Sequence, residues 1–242
     1  MQKIFGRKPV LEALKSDVEI EVVYVAFGQH GDIINQIMSA AKKRGIKITQ
    51  LAISKYDALT EGQNAQGVIA LKSTQKYFEL GELIEKSKAS PLPLLLLLDS
   101  IQDTHNLGAI LRTAECAGAD GVIITTNQSA PINETVEKIS AGAVSHLKIC
   151  KVTNLVRSIE DLKKNGFWIV GTHISGEKNY NQLDYKMPVA LVMGNEEKGI
   201  RKLVAENCDF LVKIPMKGKI DSLNVSVSTG VLLFEILRER NI

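Results

Sequence analysis

The sequence predicts an α/β fold with a mostly parallel sheet, preceded by a smaller α/β domain. Short apolar segments of strand length alternate with helical segments along most of the 242 residues, a pattern typical of α/β proteins. The strand-like segments of the second part, such as "LLLLL" at 94–98, are almost continuously apolar, which indicates strands covered by helices on both faces. A length of 242 residues also favours two unequal domains, because one domain usually takes ~150 residues.

The first part of the chain is expected to form a small domain in which strands and helices alternate. Helices are predicted at 6–16, 32–45 and 54–62, and strands at 19–27, 46–52 and 66–73. The stretch "KSTQKYFELGELIEKSKASPLP" that follows is charged, weakly periodic and ends at two prolines, so it is interpreted as a linker. The expected domains are therefore 1–75 and 92–242, joined by a linker at 76–91.

Six buried strands are predicted in the larger domain. They lie at 94–98, 122–126, 147–152, 167–172, 189–193 and 210–214. The carboxyl ends of parallel strands meet at one edge of a sheet, where ligand crevices form. The loops that follow these strands are therefore the candidates for a functional site.

The loop after the first of these strands leads from Asp99 to Asn106 and into a helix with one apolar face. Arg112 lies off that face, so Asn106 and Arg112 are candidates for contact with a ligand. In the structural alternative, Asp103 or Asn106 caps the helix and Arg112 is a solvated surface charge. This loop alone leaves both interpretations open.

A later loop, in "LVMGNEEKGI", places Gly194 directly at a strand end, followed by two carboxylates. This arrangement indicates either close approach of the backbone to a ligand or a capped turn before a helix that starts near Ile200. His105 and His173 are interpreted as loop residues. The four histidines of the chain show no metal-ligand spacing, so no metal site is expected.

The C-terminal stretch "IPMKGKIDSLNVSVSTG" places a cluster of Ser and Asn residues in front of an apolar helix. Ser222 or Asp221 is expected to cap this helix, while Asn224 and Ser226 project from its first turn. One polar residue is enough for a cap, so the surplus favours a binding site. The helix itself is apolar on most sides and is expected to be buried.

Composition restricts the class of protein. The chain is 45% hydrophobic and 24% charged with a net charge of +3 at pH 7, as in ordinary globular proteins, and the charge weakly favours a polyanionic partner. The longest apolar run is too short to span a bilayer and the first residues lack a signal-peptide stretch, so a cytoplasmic protein without membrane contact is expected. Cys116, Cys150 and Cys208 are expected to be buried thiols.

The motifs of several common enzyme classes are missing. The sequence contains no G-x-G-x-x-G after a strand, no G-x-x-x-x-G-K-[ST], no G-x-S-x-G and no H-E-x-x-H. A Rossmann dehydrogenase, a P-loop NTPase and an α/β hydrolase therefore lose their main support.

Three motifs, in their order and spacing, resemble the SpoU branch of the SPOUT superfamily of RNA ribose methyltransferases. They are "DTHNLGAILRTAECAGA", "LVMGNEEKGI" and "IPMKGKIDSLNVSVSTG". The amino-terminal "IFGRKPVLEAL" and "NAQGVIAL" are similar to the accessory RNA-binding domain of bacterial 23S rRNA guanosine 2'-O-methyltransferases. Thr104, where relatives commonly have proline, and Glu197, where a small residue is more usual, depart from the pattern.

The resemblance implies a C-terminal trefoil knot that forms a pocket for S-adenosylmethionine, in a homodimeric enzyme. It assigns cofactor contacts to Gly194, Ile214, Met216 and Leu223. It assigns catalytic or substrate-binding roles to Asn106, Arg112, Glu196, Ser222 and Asn224.

The reaction that the resemblance implies is methylation of a ribose 2'-hydroxyl in RNA, with a guanosine of 23S rRNA as the expected target. Two alternatives stay open: a tRNA 2'-O-methyltransferase, and a noncatalytic RNA-binding assembly factor that kept the fold. The basic residues of the small domain are expected either to contact RNA phosphates or to be solvated charges: Arg7, Lys8, Lys42, Lys43 and Arg44.

Overall fold

The computed structural model describes residues 3–16, 18–72, 76–173, 176–195, 198–220 and 222–241. The chain divides into two compact units. The smaller comprises Met1–Lys76 with Pro131–Glu134, and the larger comprises Tyr77–Ala130 with Thr135–Ile242.

The smaller unit consists of a mixed four-stranded sheet with helices. Its elements are β1 (Lys3–Phe5), α1 (Arg7–Lys15), β2 (Ile20–Ala26), α2 (Asp32–Lys43), β3 (Lys47–Leu51), α3 (Ile53–Thr60) and β4 (Val68–Lys72). The strand order is β1-β4-β2-β3. β2 and β3 run parallel, whereas β4 is antiparallel to both β1 and β2. Every helix and strand predicted for this part of the sequence is therefore present.

Helices cover both faces of this small sheet. Val10 of α1 and Ile37 of α2 are fully buried with Val23 of β2 in one core cluster. Tyr56 of α3 packs with Ile69 of β4 in a second cluster. Because apolar side chains point to both faces, β2 is almost continuously buried along its seven residues.

The larger unit contains the remaining helices and strands. They are α4 (Leu80–Ser87), β5 (Leu94–Asp99), α5 (Thr104–Cys116), β6 (Gly121–Thr125), α6 (Glu134–Ile139), β7 (Ile149–Val152), α7 (Leu155–Lys164), β8 (Trp168–Thr172), β9 (Lys178–Asn179), β10 (Val189–Gly194), α8 (Lys202–Glu206), β11 (Phe210–Lys213) and α9 (Val225–Arg240).

The strands of the larger unit form one sheet in the order β7-β6-β5-β10-β8-β11-β9. All six neighbouring pairs are parallel. The predicted α/β class with a mostly parallel sheet is confirmed, and all six predicted strands are present. β9, which has two residues, was not predicted because so short a strand has no periodic signal. The central strands β5 and β10 are buried at every position, as expected for a sheet covered on both faces.

The stretch at 76–91 differs from the linker that its charge predicted. Helix α4 lies within it, and Leu83 and Ile84 belong to the core cluster of the larger unit. Phe78 also donates a backbone hydrogen bond to the carbonyl of Ile149. The charged residues of α4, such as Glu82, lie on the exposed side of the helix, and its apolar face, to which Leu80 also belongs, is too short to give a clear periodic signal.

Two predictions about burial were only partly right. Cys150 is buried and Cys208 is half-buried, but Cys116 is exposed because it lies on the outer face of α5. Burial raises the pKa of the Cys150 and Cys208 thiols to about 12, so both remain protonated at neutral pH. Helix α9 buries Leu232, Leu233 and Ile236, whereas Val227 and Phe234 are each 51% exposed.

Two further kinds of feature, a membrane-spanning helix and a metal-binding cluster, are absent from the described part of the chain. Among its helices, none is long and apolar enough to cross a membrane. The same residues contain no cluster of three or more His, Cys, Asp or Glu side chains that could hold a metal ion.

Replacing Leu83 with alanine tests whether α4 belongs to the core of the larger unit. We expect Leu83→Ala to lower the free energy of unfolding by roughly 2–5 kcal/mol, because it leaves a cavity at a fully buried position. Glu82→Ala, on the exposed side of the same helix, is the matched control and should change it by about 0.5 kcal/mol or less. Urea unfolding followed by circular dichroism measures both, and equal effects would contradict the packing of α4.

Candidate cofactor and substrate site

Four strands of the larger sheet end at the edge where the candidate site lies. Gly194 at the end of β10 pairs with Asp99 at the end of β5. Thr172 ends β8, and its neighbour β11 ends one residue beyond their last pair. Because the strands are parallel, the loops that follow them converge on this edge.

A cavity of about 620 Å³ opens at this edge. The residues that line it come from 172–173, from the end of β10 and the loop after it, and from 212–220 and 222–228 before and at the start of α9. All four predicted cofactor residues lie in its wall, namely Gly194, Ile214, Met216 and Leu223. Ser222, predicted to act on the substrate, lies there too. The structure therefore brings together residues from two of the three sequence motifs in one cavity.

Gly194 is constrained by the protein's own backbone. A β-carbon at this position would lie 2.1 Å from the carbonyl carbon of Gly199 and 2.2 Å from the nitrogen of Ile200. The loop is closed by two backbone hydrogen bonds between Asn195 and Gly199, at 3.1 and 2.8 Å. The sequence left either a ligand or a capped turn as the reason for this glycine. The close neighbour is the chain that returns through the turn. Gly199 itself has φ +64°, a conformation that favours glycine.

An ion pair with one buried partner, which no sequence pattern indicated, fixes the same loop. The carboxylate of Asp99 is fully buried and accepts hydrogen bonds from the backbone nitrogen of Arg201 at 2.8 Å and from its Nε at 2.7 Å. The Arg201 side chain is half-exposed, so loss of Arg201 would leave the buried Asp99 carboxylate without its charged partner, whereas loss of Asp99 would leave a solvated guanidinium. The sequence feature that could have indicated this pair is an aspartate that follows five leucines at the end of a predicted strand.

Two asparagines join the start of α5 to the start of α9. Asp103 caps α5 by accepting a hydrogen bond from the backbone of Asn106 at 2.8 Å. Asn224 caps α9 by accepting one from the backbone of Ser226 at 2.9 Å. The Nδ2 of Asn224 donates to the Oδ1 of Asn106 at 2.9 Å. The expected cap at Ser222 or Asp221 is replaced by Asn224, and Asp221 lies outside the described residues.

Arg112, like Asn106 and Asn224, is not among the residues that line the cavity. Arg112 is exposed on α5, about 9 Å along the helix axis from Asn106. Within the described part of the chain its guanidinium has no hydrogen bond or ion pair, so it is accessible to a ligand. Glu196 lies outside the described residues.

Several residues of the cavity were not predicted from the sequence. Lys198, Lys213 and Lys219 line it and supply positive charge. His173, treated as an uncertain loop residue, also lies in the wall, whereas His105 is exposed in the first turn of α5. A lysine in a polar loop carries no signal that distinguishes a cavity wall from solvent.

Known families match both parts of the chain. Residues 93–234 match the model of the SpoU rRNA Methylase family. The chain belongs to this SpoU family. Residues 3–78 match the model for RNA 2'-O ribose methyltransferase substrate binding. The SpoU resemblance read from the three motifs is confirmed, so this SpoU protein is an RNA methyltransferase of a family that uses S-adenosylmethionine.

Similar proteins align with between 67% and 98% of this SpoU chain. YacO from Bacillus subtilis (strain 168), named as a TrmH family tRNA/rRNA methyltransferase, is 41% identical over 239 residues, covering 98% of this chain and 96% of YacO. The AdoMet-bound rRNA methyltransferase from Sinorhizobium meliloti is 29% identical with a TM-score of 0.61, over 98% of this chain and 86% of that one. A TrmH/SpoU tRNA modifying enzyme from A. aeolicus is 35% identical with a TM-score of 0.57, over 67% of this chain and 81% of that one.

Gly194→Ala tests whether the crossing of the backbone forms the cavity. We expect the affinity for S-adenosylmethionine to fall at least about tenfold, because a β-carbon would displace the backbone of Gly199 and Ile200. Gly218→Ala is the matched control, since Gly218 lines the same cavity but has open space around it. Calorimetric titration measures both. If the Gly194→Ala variant binds S-adenosylmethionine as tightly as the wild type while the Gly218→Ala variant binds it more weakly, this role for Gly194 is refuted.

Proposed function

We propose that this SpoU protein transfers a methyl group from S-adenosylmethionine to the 2'-hydroxyl of a ribose in RNA, and that its target is a guanosine of 23S rRNA. The observation that carries the proposal is the juxtaposition at one sheet edge. A cavity holding the predicted cofactor residues lies beside a helix start where Asn224 bonds to Asn106. A cofactor site and polar groups for a sugar therefore share one edge.

The residues of the cavity fit S-adenosylmethionine. Its volume of about 620 Å³ lies within the roughly 300–1,000 Å³ typical of ligand sites. Ile214, Met216 and Leu223 offer apolar contacts for an adenine ring, and backbone groups near Gly194 offer polar ones. Lys213 offers a partner for a carboxylate. When bound, the cofactor supplies an electrophilic methyl group on a sulfonium.

Asn106, Ser222 and Asn224 are proposed to hold the ribose. Methyl transfer is an in-line displacement, so the hydroxyl must be held close to the donor and in the correct orientation. Asn224 is fixed by its own capping bond and by Asn106, so its amide is oriented before a substrate arrives. Fixed polar groups lose less entropy on binding than mobile ones.

Arg112 is proposed to orient a phosphate of the target nucleotide. Arginine remains protonated in proteins and presents its donors in a planar fork that matches phosphate. Its exposure on α5 supports access to RNA. Glu196 is proposed to orient Arg112 or the target nucleotide. The trefoil knot is part of the proposal as well, and the close backbone crossing at Gly194 supports it.

The small unit supports rRNA as the substrate. Its match to an RNA methyltransferase substrate-binding model is separate from the methylase match. The A. aeolicus tRNA modifying enzyme aligns with only 67% of this chain, as expected for a tRNA enzyme that lacks such a unit. A tRNA target is the second candidate, because YacO is named for both RNAs.

Mass-spectrometric mapping of ribose methylation separates the candidate substrates. We expect a deletion strain to lack one methylated guanosine in 23S rRNA, and the restored gene to return it. Loss of a methylated nucleotide from tRNA instead would favour the second candidate. An unchanged RNA together with no calorimetric signal for S-adenosylmethionine would favour a noncatalytic assembly factor.

A cytoplasmic homodimer is also proposed. The exposed apolar side chains of α9, Val227 and Phe234, support a surface that a second copy would cover. Sedimentation equilibrium at micromolar concentration measures the mass, and a monomer would count against this part of the proposal.

Arg112→Ala separates catalysis from cofactor binding. We expect methyl transfer to 23S rRNA to fall roughly 100-fold or more, because the target is no longer held in line. The affinity for S-adenosylmethionine should not change, since Arg112 is not among the residues that line the cavity. Arg157→Ala, at an exposed arginine of α7, is the matched control. Near wild-type transfer by the Arg112 variant would show that the assignment is wrong.

A further inference from the structure

Four loops of the small unit meet at one edge of its sheet. β2 and β3 are parallel, so Phe27 and Ala52 follow their strands at the same edge. β4 runs the other way and begins there, and β1, antiparallel to β4, ends there at Phe5. The segments after β1, β2 and β3 and the loop before β4 therefore converge.

An open cavity of about 730 Å³ lies among these loops. Its wall is almost entirely polar and combines a cation, a carboxylate, a hydroxyl and several amides, including Arg7, Gln29, Asp57, Thr60, Asn64 and Gln66. Amide side chains both donate and accept hydrogen bonds. This set matches the edge of a nucleobase, which also carries donors and acceptors.

Arg7 is held in place with donors to spare. Its Nε donates to the backbone carbonyl of Gln66 at 3.0 Å, and its Nη2 donates to the side chain of Gln29. A guanidinium has five N–H groups, so three remain after these two bonds within the described part of the chain. Those donors suit a phosphate oxygen, and the side chain is already oriented for it.

The loop before β4 has an uncommon backbone conformation. Gln66 has φ +50° and Gly67 φ +77°, and a left-handed conformation is uncommon at a non-glycine residue. The side chain of Asn64 accepts a hydrogen bond from the backbone of Gln66 at 3.3 Å. The buried hydroxyl of Tyr56 donates to the carbonyl of Ala65 at 3.2 Å. These bonds maintain the wall of the cavity in one shape.

An exposed aromatic residue follows β2 at the same sheet edge. Phe27 is 69% exposed, which is unusual for a phenylalanine. The backbone nitrogen of its neighbour Ala26 donates to the carbonyl of Gly67, and Gln29 two residues later lines the cavity. Phe27 therefore lies two residues along the chain from the cavity wall, and an exposed ring is a surface on which a base can stack.

We propose that this cavity receives an unpaired nucleotide of the RNA substrate, with its base stacked on Phe27 and its phosphate bound by Arg7. Proteins that bind single-stranded RNA combine aromatic stacking with cationic phosphate contacts and polar base-edge contacts in this way. The inference rests on the proposed function only in taking RNA as the substrate. It assigns the small unit a preference for unpaired RNA, whereas charge alone would not distinguish single strands from duplexes.

Fluorescence anisotropy with the full-length chain tests the preference. The probes are a random-sequence single-stranded RNA and an RNA duplex of the same length, both labelled with fluorescein. We expect the wild type to bind the single strand more tightly than the duplex. Phe27→Ala and Arg7→Ala should weaken single-strand binding about tenfold and change duplex binding much less.

Matched variants separate stacking and charge from general effects. Phe27→Trp should keep the affinity for the single strand, while Phe27→Leu, which keeps apolar bulk but has no ring, should lose it. Lys8→Ala removes an exposed charge next to Arg7 that does not line the cavity, and should weaken both probes slightly and equally. Thermal melting verifies that each variant is folded, and the exposed position of Phe27 makes its variants the decisive ones.

Equal affinity of the wild type for both probes, or single-strand binding by Phe27→Ala as tight as that of the wild type, would overturn the inference. Methyl transfer to 23S rRNA is measured in parallel. A wild type that prefers single strands through Phe27 but transfers no methyl group would leave the nucleotide site standing while refuting the proposed reaction. If the wild type transfers a methyl group but Phe27 contributes nothing to RNA binding, the proposed reaction stands and the nucleotide site is refuted.

Discussion

The backbone of Gly199 and Ile200 passes so close to the end of β10 that only a hydrogen fits on residue 194. This crossing depends on the ion pair between Asp99 and Arg201, which ties the returning chain to the neighbouring strand. The two constraints act together, because the loop would otherwise be free to move away from the sheet edge. Both constraints act on the segment that forms the cavity wall around Gly194.

Helix α9 is held by hydrogen bonds at both of its ends. At one end Asn224 caps the helix and bonds to Asn106. At the other end, about 24 Å away, Arg240 donates hydrogen bonds to the carbonyls of Leu92, Tyr185 and Met187 near the starts of β5 and β10. Because both ends of α9 are bonded to neighbouring segments, the position of its first turn is constrained. The polar groups proposed to bind the ribose therefore depend on packing far from the reaction.

The sequence was sufficient for the longer strands because burial leaves a periodic or continuous apolar signal, as in β5, whereas β1 and β9 are too short to carry one. It was insufficient where one side chain decides the structure. The charges of α4 concealed Leu83, and a glycine at a strand end could not reveal whether a ligand or the chain itself approached Gly194. The family motifs selected the residues of the cavity, but no motif marked Asp99 as the partner of Arg201. These contacts join distant parts of the chain, so local patterns do not contain them.

Both units place their polar cavities at the loop edge of a sheet, but the two cavities differ in chemistry. The wall near Gly194 combines apolar side chains with lysines, which suits a small molecule that has a flat ring and a charged tail. The wall near Arg7 is mostly polar and lies at the same sheet edge as the exposed Phe27, a combination that suits one nucleotide of a long polymer. Binding of the polymer and binding of the methyl donor therefore depend on separate residues. In the proposed assignment, a substitution at Phe27 weakens RNA binding without altering the cavity at Gly194, because the two sets of residues belong to different units.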